Sequence, residues 1–523
     1  MLSTVISGGV RGISSYLMRV EVDAASGLPS FSMVGDVSGD TKEAGERVRV
    51  VLKNAGYPVP PMRITVNLSP AAIRKSGVSV DLPIAVGLLC AMGQLEAASL
   101  ADTLIIGELG LDGEVHRARG ILPIVTKAAQ AGIRTCMVPY ENAMEGAVVE
   151  GMRIVGVRTI AEAVLWLQAA EEEWDSIIPP AVMDVDALFA RDLEESTEDF
   201  ADVRGQLAVR RAAEIAAAGF HHLLLIGPPG SGKSMIARRI PGILPPLSRE
   251  EALEVSAVYS VAGLLDNETA LITKRPFIAP HHSTTGPALI GGGNNPRPGL
   301  LSLAHRGVLF LDELPEFRRE TLDLLRQPLE EKRVQLSRTS GISSYPASIV
   351  LLCAMNPCPC GYYPDRNKCR CTQSQISRYL GHISGPILDR IDICVEAPRV
   401  EVSELRLSRD AGGESSAEIR KRVLAARRIQ EERFAGTKLM FNSQMGPEEL
   451  RRFCPLNEEE EKLLESLFQA MDLSARAYHK VLRIARTIAD LEASIKVEKK
   501  HLIEAAGYRM TDSRYWAGKG EGD

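Results

Sequence analysis

The chain has 523 residues, of which 45% are hydrophobic and 24% are charged. These fractions are typical of soluble globular proteins, they exclude wholesale disorder, and the length predicts about three domains. Lysine and arginine number 61 against 67 aspartate and glutamate residues, so the formal net charge is -6. The chain is therefore not a general polycation, and any nucleic-acid contact must come from a local basic surface.

Targeting signals are the next feature to consider. Residues 1–9 lack the basic and long apolar stretches of a signal peptide, and apolar runs such as 349–355 are much shorter than the ~20 residues that span a bilayer. Nine cysteines, five of them scattered singly, favour a reducing compartment over a disulfide scaffold. We expect a cytoplasmic protein that does not contact a membrane.

The N-terminal part of the chain alternates strand-like and helix-like segments. Residues 16–23, 63–68 and 103–107 are typical of strands. A helix opens at Asp81, and residues 121–131 form another that ends before a glycine. This alternation predicts an α/β or α+β domain.

Composition divides the chain into four parts. Residues 1–168 form the N-terminal domain, and residues 169–200 are acidic and turn-forming, which predicts a solvated linker. Residues 201–400 form a second α/β domain, and residues 401–523 are charged with helical periodicity.

A phosphate-binding loop follows the apolar strand Leu223–Ile226 and opens a helix. Its residues are Gly227, Pro228, Pro229, Gly230, Ser231, Gly232, Lys233 and Ser234. Glycines in such a loop let backbone N–H groups surround phosphates, Lys233 would reach the β- and γ-phosphates, and Ser234 would ligate Mg²⁺.

The second half of such a site is an apolar strand that ends in acid, and residues 308–313 supply it. Asp312 would hold Mg²⁺ and Glu313 would polarise the attacking water. A third strand ends at Asn356, which either orients the lytic water or only forms a turn before proline. The paired acids favour an ATPase with a catalytic glutamate.

Three long stretches, residues 304–317, 354–361 and 384–392, resemble the magnesium-chelatase-like branch of the AAA+ ATPases. With the N-terminal domain included, residues 7–509 are similar to the ComM/YifB family of competence-associated proteins. The resemblance implies an α/β AAA+ P-loop core with a helical lid, plus an N-terminal α+β domain like the Lon proteolytic domain.

The same resemblance implies further roles. Asn356 matches the sensor-1 position, Arg390 the arginine finger that reaches a neighbouring subunit's ATP, and Arg476 the sensor-2 arginine of the lid. Two mobile cations would complete the charge on the transferring phosphoryl group. A finger supplied by a neighbour implies a ring, which in this family is a hexamer.

Two loops are rich in glycine, proline or basic residues. The first lies between the two phosphate motifs, and the second lies between the second phosphate motif and the strand that ends at Asn356. The family places an inserted loop at residues 279–297, and a second hairpin is predicted at residues 332–344 with Lys332, Arg333 and Arg338. These loops either line a channel for DNA or are ordinary solvated hairpins.

Four cysteines lie close together in sequence, within residues 358–371: Cys358, Cys360, Cys369 and Cys371. Four thiolates in one short loop suit tetrahedral Zn²⁺, although C-x-C is tighter than the usual C-x2-4-C spacing. Reduced free thiols and a redox switch are the two alternatives.

The N-terminal domain carries two stretches, residues 75–79 and 107–115, that resemble the Lon proteolytic domain. Ser79 falls where that family keeps its nucleophile, which needs a lysine base. The lysine position is occupied by Leu122, and Lys127 does not match it. We therefore expect a non-proteolytic relative used for assembly or DNA handling.

These observations favour a ring-shaped, ATP-hydrolysing DNA motor with ATP and Mg²⁺ as cofactors and zinc as one interpretation of the cysteines. Its partners would be single-stranded or branched DNA and five further copies of the chain. Its helicase or branch-migration activity would serve recombination or natural transformation. The alternatives are the motor subunit of a metal-inserting chelatase and a non-catalytic nucleotide-binding scaffold.

Overall fold

The computed structural model describes residues 1–35, 39–71, 79–194, 198–293, 296–338, 341–399, 413–471 and 475–516. Two α/β units follow one another along the chain, each built on its own sheet, and helices form the C-terminal part.

The N-terminal domain is built on a seven-stranded sheet. Its strands and an adjoining two-stranded ribbon are β1 (Leu2–Arg11), β2 (Ser14–Ala25), β3 (Ser30–Val34), β4 (Arg63–Ser69), β5 (Thr103–Ile105), β6 (Glu108–Leu109), β7 (Val115–His116), β8 (Thr135–Pro139) and β9 (Arg153–Val157). The sheet order is β3-β4-β2-β1-β5-β8-β9, with β2 antiparallel to both β1 and β4 and the remaining pairs parallel. This mixed sheet confirms the expected α+β domain.

The helices of this domain are α1 (Gly39–Asn54), α2 (Asp81–Ala91), α3 (Ile121–Gln130), α4 (Ala143–Ala147) and α5 (Ile160–Gln168). Every residue of α2 is buried, which fits its nearly uniform apolar sequence. Helix α3 is followed by Gly132 at φ +83, so the predicted glycine stop is confirmed.

The acidic segment predicted to be a solvated linker is partly folded, which corrects that expectation. It contains α6 (Trp174–Ile177) and α7 (Val185–Glu194). The Trp174 ring stacks on Trp166 with centroids 4.3 Å apart, and Val185 packs with Leu122 in a buried cluster. Scattered apolar side chains anchor the segment, and acidic composition alone hides them.

The second domain is built on a five-stranded parallel sheet in the order β11-β14-β17-β10-β18. Its strands and two small hairpins are β10 (Leu223–Ile226), β11 (Phe277–Ile278), β12 (Gly291–Gly292), β13 (Arg297–Pro298), β14 (Val308–Leu311), β15 (Arg333–Arg338), β16 (Gly341–Pro346), β17 (Val350–Met355) and β18 (Ile393–Glu396). The predicted strands at β10, β14 and β17 are confirmed.

The helices of the second domain are α8 (Leu207–Gly219), α9 (Lys233–Ile243), α10 (Arg249–Ala262), α11 (Gly286–Ile290), α12 (Leu300–Leu303), α13 (Arg319–Asp323), α14 (Arg326–Glu331), α15 (Gln373–Gly381) and α16 (Gly385–Leu388). Because α9 begins directly after the glycine loop, its free N–H groups open toward the carboxyl ends of the strands.

The C-terminal helices are α17 (Ser416–Phe434), α18 (Pro447–Phe453), α19 (Glu458–Ala470), α20 (Ala475–Leu491) and α21 (Lys499–Trp516). Val481 and Ile484 of α20 are fully buried in the cluster that also holds Leu223 and Val350 of the sheet. The helical part therefore shares one core with the second domain. Among the described helices, none is long and apolar enough to cross a bilayer.

Candidate nucleotide site and adjoining loops

The buried Lys233 ammonium lies at the start of α9. Its Nζ donates to the carbonyls of Gly227 at 2.8 Å and Pro228 at 3.0 Å, and to Asn356 Oδ1 at 3.2 Å. Gly232 precedes it at φ +81, a left-handed conformation that favours glycine. The loop therefore wraps around one cation at the positive end of a helix, where anions bind readily.

Burial and nearby carboxylates act in opposite directions on this lysine. Desolvation lowers the pKa of Lys233, while the charges of Asp312 and Glu313 raise it. Both acids follow β14, which is separated from β10 only by β17. The sheet order thus brings the two predicted phosphate motifs to one edge.

Ser234 and Asp312, the predicted magnesium residues, lie together. Ser234 Oγ donates to Asp312 Oδ2 at 2.6 Å, and the Glu313 N–H donates to Asp312 Oδ1 at 2.9 Å. A hydroxyl beside a carboxylate offers the oxygen ligands that Mg²⁺ prefers. These two residues are the ones that could hold the ion.

The Glu313 carboxylate is 61% exposed, and its residue adopts φ +52. His282 Nδ1 lies 3.7 Å from Glu313 Oε2, and the His282 ring packs on His281 with centroids 4.0 Å apart. Sequence reasoning missed His282 as a neighbour of the acid. The only signal in the sequence is the pair of adjacent histidines, and such a pair does not show that His282 lies beside the end of β14.

Asn356 completes the cluster because β17 lies between β10 and β14. Ile226 pairs with Met355, and Leu311 pairs with Cys353, so all three strands end at nearly the same level. The structure therefore brings together Lys233, Ser234, Asp312, Glu313 and Asn356, as the sequence predicts.

The two arginines predicted to act on phosphate lie at the other edge of this sheet. Arg390 precedes β18, whose last residue pairs with Ile226 beside the loop. The three steps between the four residues of β18, each about 3.3 Å, separate the beginning of the strand from its end beside the loop by about 10 Å. Arg390 is therefore placed away from Lys233 of its own chain.

Arg390 and Arg476 line one cavity of about 380 Å³. Arg390 forms an ion pair with Glu330 and donates to the Pro386 carbonyl at 3.0 Å, and Arg476 lies 3.4 Å from Asp389. Further basic residues that sequence reasoning missed line the same cavity: His222, His479, Lys480 and Arg483.

The predicted second hairpin is formed by β15 and β16. Arg333 is 55% exposed and pairs with Glu331 at 3.3 Å. Arg338 is exposed and donates to the Gly293 carbonyl at 3.4 Å, so the two inserted loops touch. Lys332 differs from the other two, because it lines the cavity described above.

Lys332 lies among other cations, and part of the residue remains exposed to solvent. Burial, followed by the charges of Arg483 and Arg306, lowers the pKa of Lys332 to about 8. This lysine sits among cations at the base of the hairpin, next to the cavity that Arg390 enters.

The four clustered cysteines converge in space. Their sulfur atoms all lie within 4.8 Å of one another, with 3.4 Å between Cys358 and Cys360 and 3.8 Å between Cys358 and Cys369. A zinc ion bound to four thiolates at about 2.3 Å places sulfurs about 3.8 Å apart. Cys371 completes the set, so the C-x-C spacing does not prevent a four-sulfur cluster.

The cysteine loop rests on the phosphate-binding loop. Gly361, at φ +83, lies so close to Pro229 that a Cβ there would overlap the proline ring. Tyr362 receives a hydrogen bond of 3.0 Å from Arg399, a residue that follows β18. The cysteine cluster therefore forms part of the wall around the nucleotide site.

The N-terminal domain lacks a lysine where the Lon resemblance requires one. Leu122 is 1% exposed in α3, and its N–H donates to the buried Glu145 at 3.0 Å, while Lys127 is exposed on the same helix. Ser79 accepts a backbone hydrogen bond of 3.2 Å from Gly107. Lys75 lies outside the described residues.

Comparison with protein families gives three consecutive matches. Residues 199–405 match magnesium chelatase, subunit ChlI; residues 20–142 match subunit ChlI of Mg-chelatase; and residues 413–509 match the magnesium chelatase subunit ChlI C-terminal family.

Similarity to individual proteins extends over the whole chain. The competence protein ComM of Haemophilus influenzae is 41% identical over 510 residues, 97% of each chain. The protein YifB of Salmonella typhimurium, described as uncharacterized, is 42% identical over 513 residues, 98% of this chain and 97% of its own. Lon protease 1 of Hydrogenovibrio crunogenus is 28% identical over 162 residues, 29% of this chain and 20% of its own.

Proposed function

Because the chain belongs to the ComM/YifB family of magnesium-chelatase-like AAA+ ATPases, we propose that it is a ring-shaped, ATP-driven motor that moves along single-stranded or branched DNA. One observation carries the proposal. Lys233, Asp312, Glu313 and Asn356 meet at one edge of the sheet, while Arg390 and Arg476 share a cavity at the other edge.

The first edge suits phosphoryl transfer to water. Backbone N–H groups of the loop and the Lys233 ammonium bind the β- and γ-phosphates, and Ser234 and Asp312 would hold Mg²⁺, which would supply further positive charge to them. Glu313 accepts the proton of the attacking water, and Asn356 orients that water. The exposed Glu313 carboxylate leaves room for a water molecule beside it.

The second edge suits a neighbouring subunit's nucleotide. Arg390 and Arg476 cannot complete the charge around their own phosphate site from across the sheet. In a closed ring, the same two arginines face the next subunit's γ-phosphate. We therefore propose a hexamer in which each active site is shared between two chains.

DNA as the substrate is supported by the loops and by the relatives. Arg333 and Arg338 are exposed on a hairpin that touches the other inserted loop. A relative of nearly full length is named a competence protein, and we propose recombination or natural transformation as the process served.

We propose that the chain acts in the cytoplasm. Its nine cysteines are free thiols, four of them in the cluster, and free thiols are typical of a reducing compartment.

We also propose that Cys358, Cys360, Cys369 and Cys371 bind one structural Zn²⁺ per chain. The sulfur separations fit a closed tetrahedral site. The ion would fix the loop that carries Gly361 against Pro229.

A second candidate is the motor subunit of a metal-inserting chelatase, which the family match over residues 199–405 favours. This hypothesis gives the N-terminal domain no role. A chelatase motor would hydrolyse ATP without regard to DNA.

The test is an ATPase and strand-displacement assay with single-stranded, duplex and forked DNA. We expect forked or single-stranded DNA to stimulate hydrolysis. Lys233→Ala should lose ATP binding, and Glu313→Gln should keep it while hydrolysis falls about 100-fold or more. Glu316→Gln, an exposed acid three residues further on, is the matched control. Hydrolysis indifferent to every DNA form, without displacement, would contradict the motor.

A further inference from the structure

Four arginines from two domains follow one another along a single surface. They are Arg119 and Arg11 of the N-terminal domain and Arg297 and Arg338 of the inserted hairpins. All four are exposed. We call this set the arginine row.

The two hairpin arginines are neighbours through Gly292. Arg297 pairs with Gly292 across β12 and β13. Arg338 Nη2 lies 3.6 Å from the position that a Cβ of Gly292 would occupy, and Arg338 Nε donates to the Gly293 carbonyl at 3.4 Å. Cross-strand neighbours have Cβ positions about 5 Å apart, so the two guanidinium groups share one face of this ribbon.

The first domain reaches this face at one end through its β1–β2 turn. Arg338 pairs with Gly341 across β15 and β16, and a Cβ at Gly341 would overlap the Arg11 guanidinium. The turn is fixed there, because the Ile13 N–H donates to the Ser344 carbonyl at 3.3 Å. Arg11 is therefore held beside Arg338 by backbone contacts.

The first domain reaches the same face at the other end through the residues before α3. Desolvation, followed by the charges of Arg297 and Arg117, lowers the pKa of Arg119, while Glu108 raises it. Arg119 lies across Gly263 at the end of α10, with its Nε 3.0 Å from a Cβ position there. Arg119 therefore lies within reach of the Arg297 charge across the domain boundary.

We propose that the arginine row is a binding site for the phosphate backbone of a nucleic-acid strand, and that the N-terminal domain supplies half of it. The inference rests on the proposed DNA motor and assigns a role to the domain that lacks a protease base.

The chemistry of the row favours a polyanion over a single ion. Four exposed guanidinium groups placed along one ribbon concentrate positive charge locally, which attracts a polyanion. Guanidinium groups bind phosphate through paired N–H donors, and successive cations along a ribbon match a strand that carries a phosphate at every nucleotide. A protein with a net charge of -6 has to gather such cations locally.

The test measures the binding of a fluorescently labelled single-stranded 30-mer to the full chain by anisotropy, in the presence of a slowly hydrolysed ATP analogue and across a series of salt concentrations. The first variant is the double substitution Arg11→Ala with Arg119→Ala. The second is Arg297→Ala with Arg338→Ala. The matched control is Arg63→Ala with Arg134→Ala, two exposed arginines of the same domain outside the row.

We expect both row variants to bind about tenfold or more weakly than the control. The slope of log Kobs against log salt should become shallower by about 0.7 for each phosphate that the variant no longer neutralises. Thermal unfolding that matches the control verifies that the variants are folded.

Two results overturn the inference in distinguishable ways. If the Arg11/Arg119 variant binds like the control while the Arg297/Arg338 variant is weakened, the N-terminal domain has no part in the site and the motor proposal stands. If the unsubstituted chain binds no DNA form, the proposed function and this inference fail together.

Discussion

Arg390 forms an ion pair with Glu330, and Glu330 lies three residues before the hairpin strand β15. The cation proposed to act on a neighbour's nucleotide is thus tied to the base of the loop proposed to contact DNA. A γ-phosphate from the next subunit would compete with Glu330 for the guanidinium group. We therefore expect movement of Arg390 and movement of the hairpin to be coupled through this contact.

Removing the charge of Glu330 should release Arg390. We expect Glu330→Gln to raise ATP hydrolysis in the absence of DNA about two- to fivefold, which corresponds to a partly exposed ion pair worth at most about 1 kcal/mol. Steady-state phosphate release measures the effect, with Glu320→Gln as the control because that acid is exposed on α13. Unchanged or slower hydrolysis would show that the pair does not restrain Arg390.

Two inactive variants should restore each other when mixed. Lys233→Ala should abolish phosphate binding at the edge of the sheet that holds the glycine loop. Arg390→Ala should remove the cation proposed to act on the neighbouring subunit's nucleotide. In randomly mixed rings at equal amounts, about one quarter of the interfaces join an intact Lys233 to an intact Arg390. Phosphate release should therefore recover to about a quarter of the unsubstituted rate. Absence of recovery in verified mixed rings would place both residues in one subunit's site.

Loss of zinc should destabilise the cysteine loop and, through it, weaken ATP binding. We expect Cys369→Ser to lower the zinc content below one ion per chain and to reduce affinity for an ATP analogue, because the loop rests on Pro229 through Gly361. Metal analysis and calorimetry measure both quantities. Cys90→Ala, a buried thiol of the first domain, is the control. If the protein without zinc bound the ATP analogue with full affinity, the cysteine loop would not contribute to nucleotide binding.

Acid should destabilise the second domain through His222. Its Nδ1 accepts the Leu351 N–H at 3.0 Å, and burial lowers the pKa of His222 from 6.5 to about 4 despite the opposing charge of Asp392. His222 is therefore protonated below about pH 6.5 in the unfolded chain but only below about pH 4 in the folded chain. Stability from this group is complete above pH 6.5 and falls as the pH decreases.

Chemical unfolding at pH 7 and pH 5 measures this decrease. We expect the free energy of unfolding to decrease by up to about 2 kcal/mol from this residue alone. His222→Gln keeps an acceptor but does not titrate, so its decrease should be smaller. His116→Gln, an exposed histidine in β7, is the control. Equal pH sensitivity in both variants would show that His222 does not cause the decrease.

The nucleotide site at the carboxyl ends of the strands was predictable, because its sequence motifs are short and continuous. A strand, a glycine loop and a helix follow one another at Lys233, and a strand ends in acid at Asp312. Parallel strands place their carboxyl ends at one edge, so the meeting of these residues with Asn356 follows from the strands alone.

The remaining arrangement depends on contacts between distant segments, which periodicity does not encode. Lys332 adjoins Arg333 in sequence, yet it lines the cavity of Arg390 because the chain turns at Lys332, where φ is +56. The charge of Arg297 lowers the pKa of Arg119 across a domain boundary. Trp174 packs on Trp166 within a segment whose acidic composition indicates solvent.

The contact of the β1–β2 turn with Ser344 bears on what the protein would lose if its first domain were removed. β15 and β16 form a two-stranded ribbon in which Val334 and Tyr345 pack in the core of the second domain, while its outer end is exposed. Gly12, at φ +62, lets the turn approach the Ser344 backbone closely, and Ile13 then supplies a third hydrogen-bonding segment along β16. In a chain shortened to its second domain and C-terminal helices, we expect the outer end of this hairpin to lose that support, so that ATP hydrolysis would persist while binding to a DNA strand weakened.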